Sequence, residues 1–404
     1  STDTTDTADT TQSGTTAEPP ANCYGGDLWL DSPEEFAKLA GYNCIEGNLR
    51  MLAGSGPDLA GLGEIRSIGG WLHIDDGHEI TSLHGLEKLQ SVGDSIVIVG
   101  APSLVDASAL AGLTTIGNEF AILGAMQLQA LDLGALESLG GDLLITAASL
   151  TSLDVPKLTT IPGVLELNET HLPSLAGLAS LTAVKSLRLR GNITLTDLSA
   201  LAGLTAPADA GLRFEDNPAL VSLTGLENVP STSQLYVENN AKLTSLAPLA
   251  GLKLASLWMR GNPALAELAP LVGPALGQMS ITNNPKLTSL AGLESITKAS
   301  QLSVQNNPAL TSLTGLGLTE VNELTLTNND TLADVKPLAK LTGPIMQIEI
   351  RNNPALTSLD GPGALTGAPS VTIVDNPKLA SVTLLTGLTT LSNLALVLAE
   401  QTER

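Results

Sequence analysis

One feature constrains this chain more than any other: it repeats itself. From Leu212 onward, segments such as LRFEDNPALVSLTGLENV, LYVENNAKLTSLAPLAGL, MSITNNPKLTSLAGLESI and LSVQNNPALTSLTGLGL follow one another at near-constant spacing. The units begin at Leu212, Leu235, Leu257, Met279, Leu302, Leu324, Ile348 and Val371, with gaps of 23, 22, 22, 23, 22, 24 and 23 residues. The frame extends back through Leu187, Leu165, Leu143, Phe120, Ile96, Leu72 and Leu49, and forward to Leu394. A unit this short cannot bury a core alone, so the units must stack, and a stack with this period is a solenoid.

Within a unit, positions 1 and 3 are apolar and positions 2 and 4 mostly polar, as in Leu302/Val304 against Ser303/Gln305. A period of two over four residues predicts a short strand with one buried face. The expected fold is therefore an all-β solenoid, a right-handed parallel β-helix-like leucine-rich repeat stack of about sixteen turns of 22–24 residues. At about 4.8 Å per turn the stack would be roughly 75 Å long.

Position 6 is Asn in nine units: Asn192, Asn217, Asn240, Asn262, Asn284, Asn307, Asn329, Asn353 and Asn376. Asn hydrogen-bonds readily to nearby backbone at turns. An internal ladder, satisfying backbone groups where the coil leaves the sheet, is the expected role. Pro follows in six units and fixes the exit direction. Earlier units carry Gly54, Gly77, Ala101, Ala125, Ala148 and Thr170 at this position, which implies a tighter or differently bonded corner. Leu-x-x-Leu steps then follow, as at Leu287, Leu290 and Leu293, and suit tight 3₁₀-like corners better than long helices.

Residues 1–20, Thr-rich and acidic, contain no apolar residue larger than Ala and are expected to form a disordered tether. Residues 21–48 are expected to cap the solenoid. They hold both cysteines, Cys23 and Cys44, around SPEEFAKLAG. There Ser32 is placed to cap a short helix, Pro33 occupies its first position and Gly41 stops it. An exported location favours a Cys23–Cys44 disulfide; two free buried thiols are the alternative. Residues 49–404 then form one solenoid with an irregularity at 196–212, where a kink or a boundary between half-solenoids would fall, and a last strand at 394–398.

The chain has 19 Lys and Arg against 41 Asp and Glu, a net charge of −22. That charge disfavours nucleic acid and anionic membrane surfaces as partners. It suits the solubility of a long exposed stack. No cofactor and no metal site is expected. The histidines His73, His78, His84 and His171 match no metal-ligand spacing. No nucleophile–base spacing singles itself out either.

The opening CYGGDLWLDSPEEFAKLAGYNCIEGNLRML resembles the start of a receptor L domain, the leucine-rich β-helical solenoid of growth-factor-receptor ectodomains. The matching pieces are Cys23, a short helix, Cys44, and then Ile45, Gly47 and Leu49. The repeated units also resemble bacterial and fungal surface proteins of that superfamily. The resemblance spans residues 21–398. It implies extracellular exposure, protein or glycan contact and no catalysis, and it transfers no residue-level site. The count of turns exceeds one receptor L domain, and the cysteine-rich modules of receptors are missing, so hormone-receptor function is not implied. The Thr-rich start is similar to that of mature bacterial surface lipoproteins, which would place a lipid anchor upstream of residue 1.

The exposed sheet face, positions 2 and 4, is where a solenoid meets its ligand. There Arg188, Arg190, Arg213, Tyr236, Trp258 and Arg260 fall on four consecutive strands. Arginine and aromatic residues at the centre of a face are what interfaces favour. A solvated, salt-bridged sheet using Glu215 and Glu238 is the competing reading. Val97, Val99, Ala121, Leu123 and Leu144 form an outward apolar band that suits self-association or a covering segment. Asn168, Asn192 and Asn329 head glycosylation sequons; Asn192 and Asn329 occupy the ladder, so glycosylation there would damage the fold, which favours a bacterial source. The expected function is a non-enzymatic cell-surface binding or adhesion protein, outer-membrane-anchored or secreted. A structural envelope component is the second reading, and a polysaccharide-acting β-helix enzyme the third.

Overall fold

Alternating apolar residues at this period do build one stack. The computed structural model describes residues 21–52, 56–206, 208–361 and 364–397. Its main sheet contains seventeen parallel strands, from Leu28–Leu30 to Asn393–Leu396. Leu212 pairs with Leu235, Leu235 with Leu257, Leu257 with Met279 and Met279 with Leu302, in the frame read from the sequence. The sheet is open: the first strand pairs with Leu49–Met51 and the last with Ser370–Val374, and neither pairs with the other. Positions 1 and 3 are buried at the rungs before the last, where Leu394 is exposed, and Leu235, Val237, Leu257, Met259, Met279 and Ile281 are fully so. Each rung covers its neighbour's apolar edge, so truncating one such Leu to Ala is worth about 2–5 kcal/mol.

The first strand lies within the segment expected to be only a cap. Leu28 and Leu30 point into the core and extend the stack by one rung before Leu49. The Cys23–Cys44 disulfide is present, with the two Cα atoms 4.4 Å apart. The helix between the cysteines is a 3₁₀ segment, Pro33–Leu39. Ser32 does not cap it through its side chain; instead the Glu35 carboxylate accepts the Asp31 N–H. Short 3₁₀ segments also recur at the Leu-x-x-Leu corners, including Ser199–Leu201, Ala247–Leu249 and Thr383–Leu385.

The asparagines form the ladder that the repeat implied. All nine are buried, none more than 2% exposed. Asn284 is typical. Its Oδ1 accepts the Asn262 N–H at 3.2 Å, and its Nδ2 donates to the carbonyls of Met259 and Thr282. Thr170 closes one end, donating Oγ1–H to Asn192 Oδ1 at 2.6 Å.

Position 5 makes the ladder possible. Asp76, Glu169, Asp216, Asn239, Asn283, Asn306, Asn328, Asn352 and Asp375 all adopt positive φ, between 52° and 58°. Gly100, Gly124, Gly191 and Gly261 do the same at equivalent places. Simple alternation would turn position 5 inward. One left-handed residue breaks the alternation, so position 5 faces solvent and position 6 turns in. Asn, Asp and Gly dominate because they tolerate that conformation. The rung at Leu143–Thr146 lacks this residue, so alternation continues and Ala147, not Ala148, is the buried one.

The earlier rungs differ at the opposite corner. A second parallel sheet of six two-residue strands runs from Cys23–Tyr24 to Ser138–Leu139. Between these strands and the main sheet stand Gly69, Gly93, Gly117 and Gly140. A Cβ on Gly117 would lie 1.8 Å from the Gly93 carbonyl oxygen, and one on Gly140 would lie 1.9 Å from that of Gly117. Backbone therefore packs on backbone there. From Thr160 onward most main-sheet strands absorb that corner and reach eight or nine residues, as in Thr160–Asn168 and Lys253–Arg260. Pairing stays in register across the irregular unit, Leu187 to Leu212. Residues 1–20, Gly54 and Leu398 lie outside the described residues.

Candidate functional site

Positions 2 and 4 of each strand point away from the core, and parallel register sets equal positions side by side about 4.8 Å apart. Arg188, Arg213, Tyr236 and Trp258 form one such row. Arg190, Glu215, Glu238 and Arg260 form the row beside it. The six residues singled out from the sequence therefore share one face, and all are half-buried or exposed.

Their contacts join them into a stack. The Tyr236 and Trp258 rings are parallel, with centroids 4.2 Å apart. On the other side of Tyr236 lies the Arg213 guanidinium, 4.1 Å from the ring centroid, in cation–π geometry. Tyr236 is thus sandwiched, and Trp258 keeps one face uncovered by any other ring or guanidinium among the described residues. Arg213 Nη2 also donates to Gln234 Oε1 at 3.3 Å.

Carboxylates border the arginines without neutralising them tightly. Arg188 Nη1 lies 3.4 Å from Glu166 Oε2, Arg213 Nη1 lies 3.9 Å from Glu215 Oε1, and Arg190 Nε lies 3.9 Å from Asp216 Oδ2. Pairs this open to solvent contribute little stability. The Nε atoms of Arg188 and Arg213 are buried without a hydrogen-bond partner, so the guanidinium ends are the groups offered outward. Burial, then the neighbouring Glu215 carboxylate, push the Glu238 carboxyl above its usual range. A depression of about 140 Å³ opens between Arg188, Arg190, Arg213, Glu166 and Glu215.

A larger groove of about 570 Å³ lies elsewhere, along the corner where Pro263, Pro285 and Pro308 alternate with Asn283, Asn306 and Asn328. Its size comes from the repetition of the Asn-x-Pro corner. Its asparagine amides are partly engaged with one another: Asn328 Nδ2 donates to Asn306 Oδ1 at 2.8 Å.

The apolar band is present in part. Val97, Ala121 and Leu144 are in register, as are Val99 and Leu123. Val99 is 38% exposed, whereas Ala121, between the larger Val97 and Leu144, is fully buried. The outward band is therefore Val99, which is exposed, with the half-buried Val97, Leu123 and Leu144 around it.

A second arginine–aromatic group escapes a reading that begins the sheet at Leu49. Trp29, 54% exposed, starts the same outward row, followed in register by Arg50 and His73. The Arg50 guanidinium lies 5.4 Å from the Trp29 ring centroid, and its Nε donates to Asp75 Oδ2 at 2.6 Å. His73 packs on Trp71 at 4.1 Å, and burial lowers its pKa. The signal was the alternation Leu28-Trp29-Leu30, 21 residues ahead of Leu49-Arg50-Met51. Among the described residues no group of three or more His, Cys, Asp or Glu is placed to hold a metal ion. No described helix is long and apolar enough to cross a membrane.

No family model matches the chain, and no curated relative does. Two solved structures are similar over most of their length. An internalin from Listeria monocytogenes is 19% identical, covers 82% of this chain and 87% of its own, and has a TM-score of 0.40. A leucine-rich-repeat protein of Leptospira interrogans is 13% identical, covers 78% of this chain and 81% of its own, and has a TM-score of 0.32. The assignment as a leucine-rich parallel solenoid rests on the strand pairing described above.

Proposed function

We propose that this chain is a non-enzymatic surface binding or adhesion protein that recognises a protein or glycan through the exposed face spanning residues 188–260. The observation that carries this reading is the continuous stack of Arg213, Tyr236 and Trp258 on three successive rungs. A rigid stack of this kind presents large contact area with little conformational entropy left to lose on binding. Arginine and aromatic anchors are also the residues on which binding energy concentrates.

An extracytoplasmic location is supported by the Cys23–Cys44 disulfide, since such bonds persist in oxidising compartments. Asn192 and Asn329, sequon residues, are buried in the ladder, which fits a host that does not glycosylate them. A bacterial surface-associated or secreted protein accommodates these features.

The test is capture from envelope extract, comparing the native chain with R213A/Y236A/W258A. The native chain is expected to retain a partner that the triple variant releases. Equal recovery of every partner by both removes this face from consideration. A structural envelope role is the second reading, supported by the outward apolar band of the exposed Val99 and the half-buried Val97, Leu123 and Leu144. It predicts association over a concentration series in light scattering, abolished by Val99→Lys.

A further inference from the structure

The strip of sheet that follows Trp258 is unlike the face before it. In register after Trp258 come Ser280, Ser303 and Thr325. After Arg260 come Thr282, Gln305 and Thr327. None carries charge, and only Gln305 is long. The surface rises again one rung later, where Arg351 Nε pairs with Glu349 Oε1 at 2.8 Å. The result is a low shelf, roughly 19 Å from the Trp258 rung to the Glu349 rung.

One end of the shelf is an aromatic wall. Because the Trp258 and Tyr236 rings are parallel at 4.2 Å, the indole stands across the direction of stacking. One of its faces is covered by Tyr236, and the other looks over Ser280, whose side chain is too short to cover it. The floor is flat and its hydrogen bonding is preset. Ser303 is only 6% exposed, and Gln305 Nε2 donates to its Oγ at 2.6 Å. Arg260 sits two residues from Trp258 on the same strand, and so on the same face. It is exposed and forms no ion pair among the described residues, in a chain of net charge −22. Glu238 is its neighbour in register, and the Arg260 charge partly offsets the burial and the Glu215 carboxylate that push the Glu238 carboxyl up.

We propose that this shelf is a saccharide subsite for a pyranose bearing a carboxylate. The C–H face of the ring stacks on the open face of Trp258, its hydroxyls meet Ser280, Thr282 and Gln305, and its carboxylate meets Arg260. A sugar fits because it pairs one apolar face with a polar rim, which is what a lone indole face above a hydroxyl floor complements. A protein side chain would find the wall but no apolar seat beyond it. The anionic form is selected because Arg260 presents an exposed positive charge on the same face as the open indole. This subsite rests on the reading of the sheet face as the recognition surface and adds a ligand class to it.

The test titrates the full chain with α-1,4-linked trigalacturonate, and separately with its methyl ester, following tryptophan fluorescence and heat of binding. The acid form is expected to bind and alter tryptophan emission, with the ester at least tenfold weaker. Trp258→Ala removes binding, Arg260→Met equalises acid and ester, and Ser303→Tyr, which fills the floor, weakens binding at least tenfold. These side chains point outward, and an unchanged melting temperature confirms an intact stack. Failure of either saccharide to bind at millimolar concentration, equal binding of both, or native binding by Ser303→Tyr overturns the proposal. Arg188→Ala/Arg213→Ala separates it from the broader reading. If that variant loses the captured envelope partner while Ser303→Tyr keeps it and no saccharide binds, the shelf fails and the recognition face stands.

Discussion

The rungs before Thr160 and those after Leu187 solve one problem with different materials. Each turn of the coil bends out of the sheet and threatens to leave buried N–H and C=O groups unpaired. In the later rungs a buried Asn amide fills the gap, bonding forward to the next rung and back to the previous carbonyls. In the earlier rungs the entry corner is closed by glycine. The Gly117 N–H donates to the Val92 carbonyl at 2.9 Å, and its Cα packs against the Gly93 carbonyl. An amide ladder is a side-chain device that tolerates small changes in backbone spacing. A glycine ladder is a steric one and tolerates no side chain at all. The two regions share period and core, so the difference lies in which corner is kept tight.

The comparison can be broken most forcefully at Gly117. Its Cβ would fall 1.8 Å from a carbonyl oxygen, which only separation of the rungs relieves. Gly117→Ala is expected to cost about 5 kcal/mol, at the extreme for single substitutions. Because solenoid rungs couple mainly to neighbours, amide hydrogen exchange should show protection lost around residues 96–146 and kept around 235–350. Uniform loss, or none, would mean that the corner is not a separate steric ladder.

Asn284→Ala is the matching test in the other region. It orphans the buried Asn262 N–H and the Met259 carbonyl, about 1–3 kcal/mol for each group. We expect a loss of roughly 3–5 kcal/mol by chemical denaturation, with Asn284→Asp only partly restoring stability because it lacks the donor. A loss below about 1 kcal/mol would show that the ladder is ornamental.

The smallest effect concerns acid groups on the outer face of each region. Burial, then Asp142 and Asp94, push the Glu119 carboxyl up; burial, then Glu215, push Glu238 up. A carboxyl whose folded pKa exceeds its unfolded value destabilises the fold when charged. The penalty is complete above the folded pKa and disappears as pH falls below the unfolded value, about 4.3. Glu119→Gln and Glu238→Gln should therefore each raise the melting temperature slightly at pH 7, with no gain near pH 4. A gain that persists at pH 4 would exclude ionisation as its cause.

Much of this molecule is legible in its residues. The period, the inward and outward positions, the asparagine ladder and the row from Arg188 to Trp258 all follow from alternation and spacing, because in a parallel stack equal positions must become neighbours. The sequence reading places Ala148 inward and begins the sheet at Leu49. Both points turn on a single residue or strand whose direction local alternation leaves open. The glycines at 69, 93, 117 and 140 carry the same period, yet their meaning needs the carbonyl of the rung beneath.

What the sequence alone determined is the coil: its period, its core face and the identity of its outward rows, since these depend only on side-chain polarity repeated along one chain. Tertiary structure decided the rest. It set which ring covers which, leaving Trp258 one open face, and it buried Ala121 between its larger neighbours. Those outcomes depend on the few ångströms between adjacent rungs, a distance that exists only once the backbone has closed on itself.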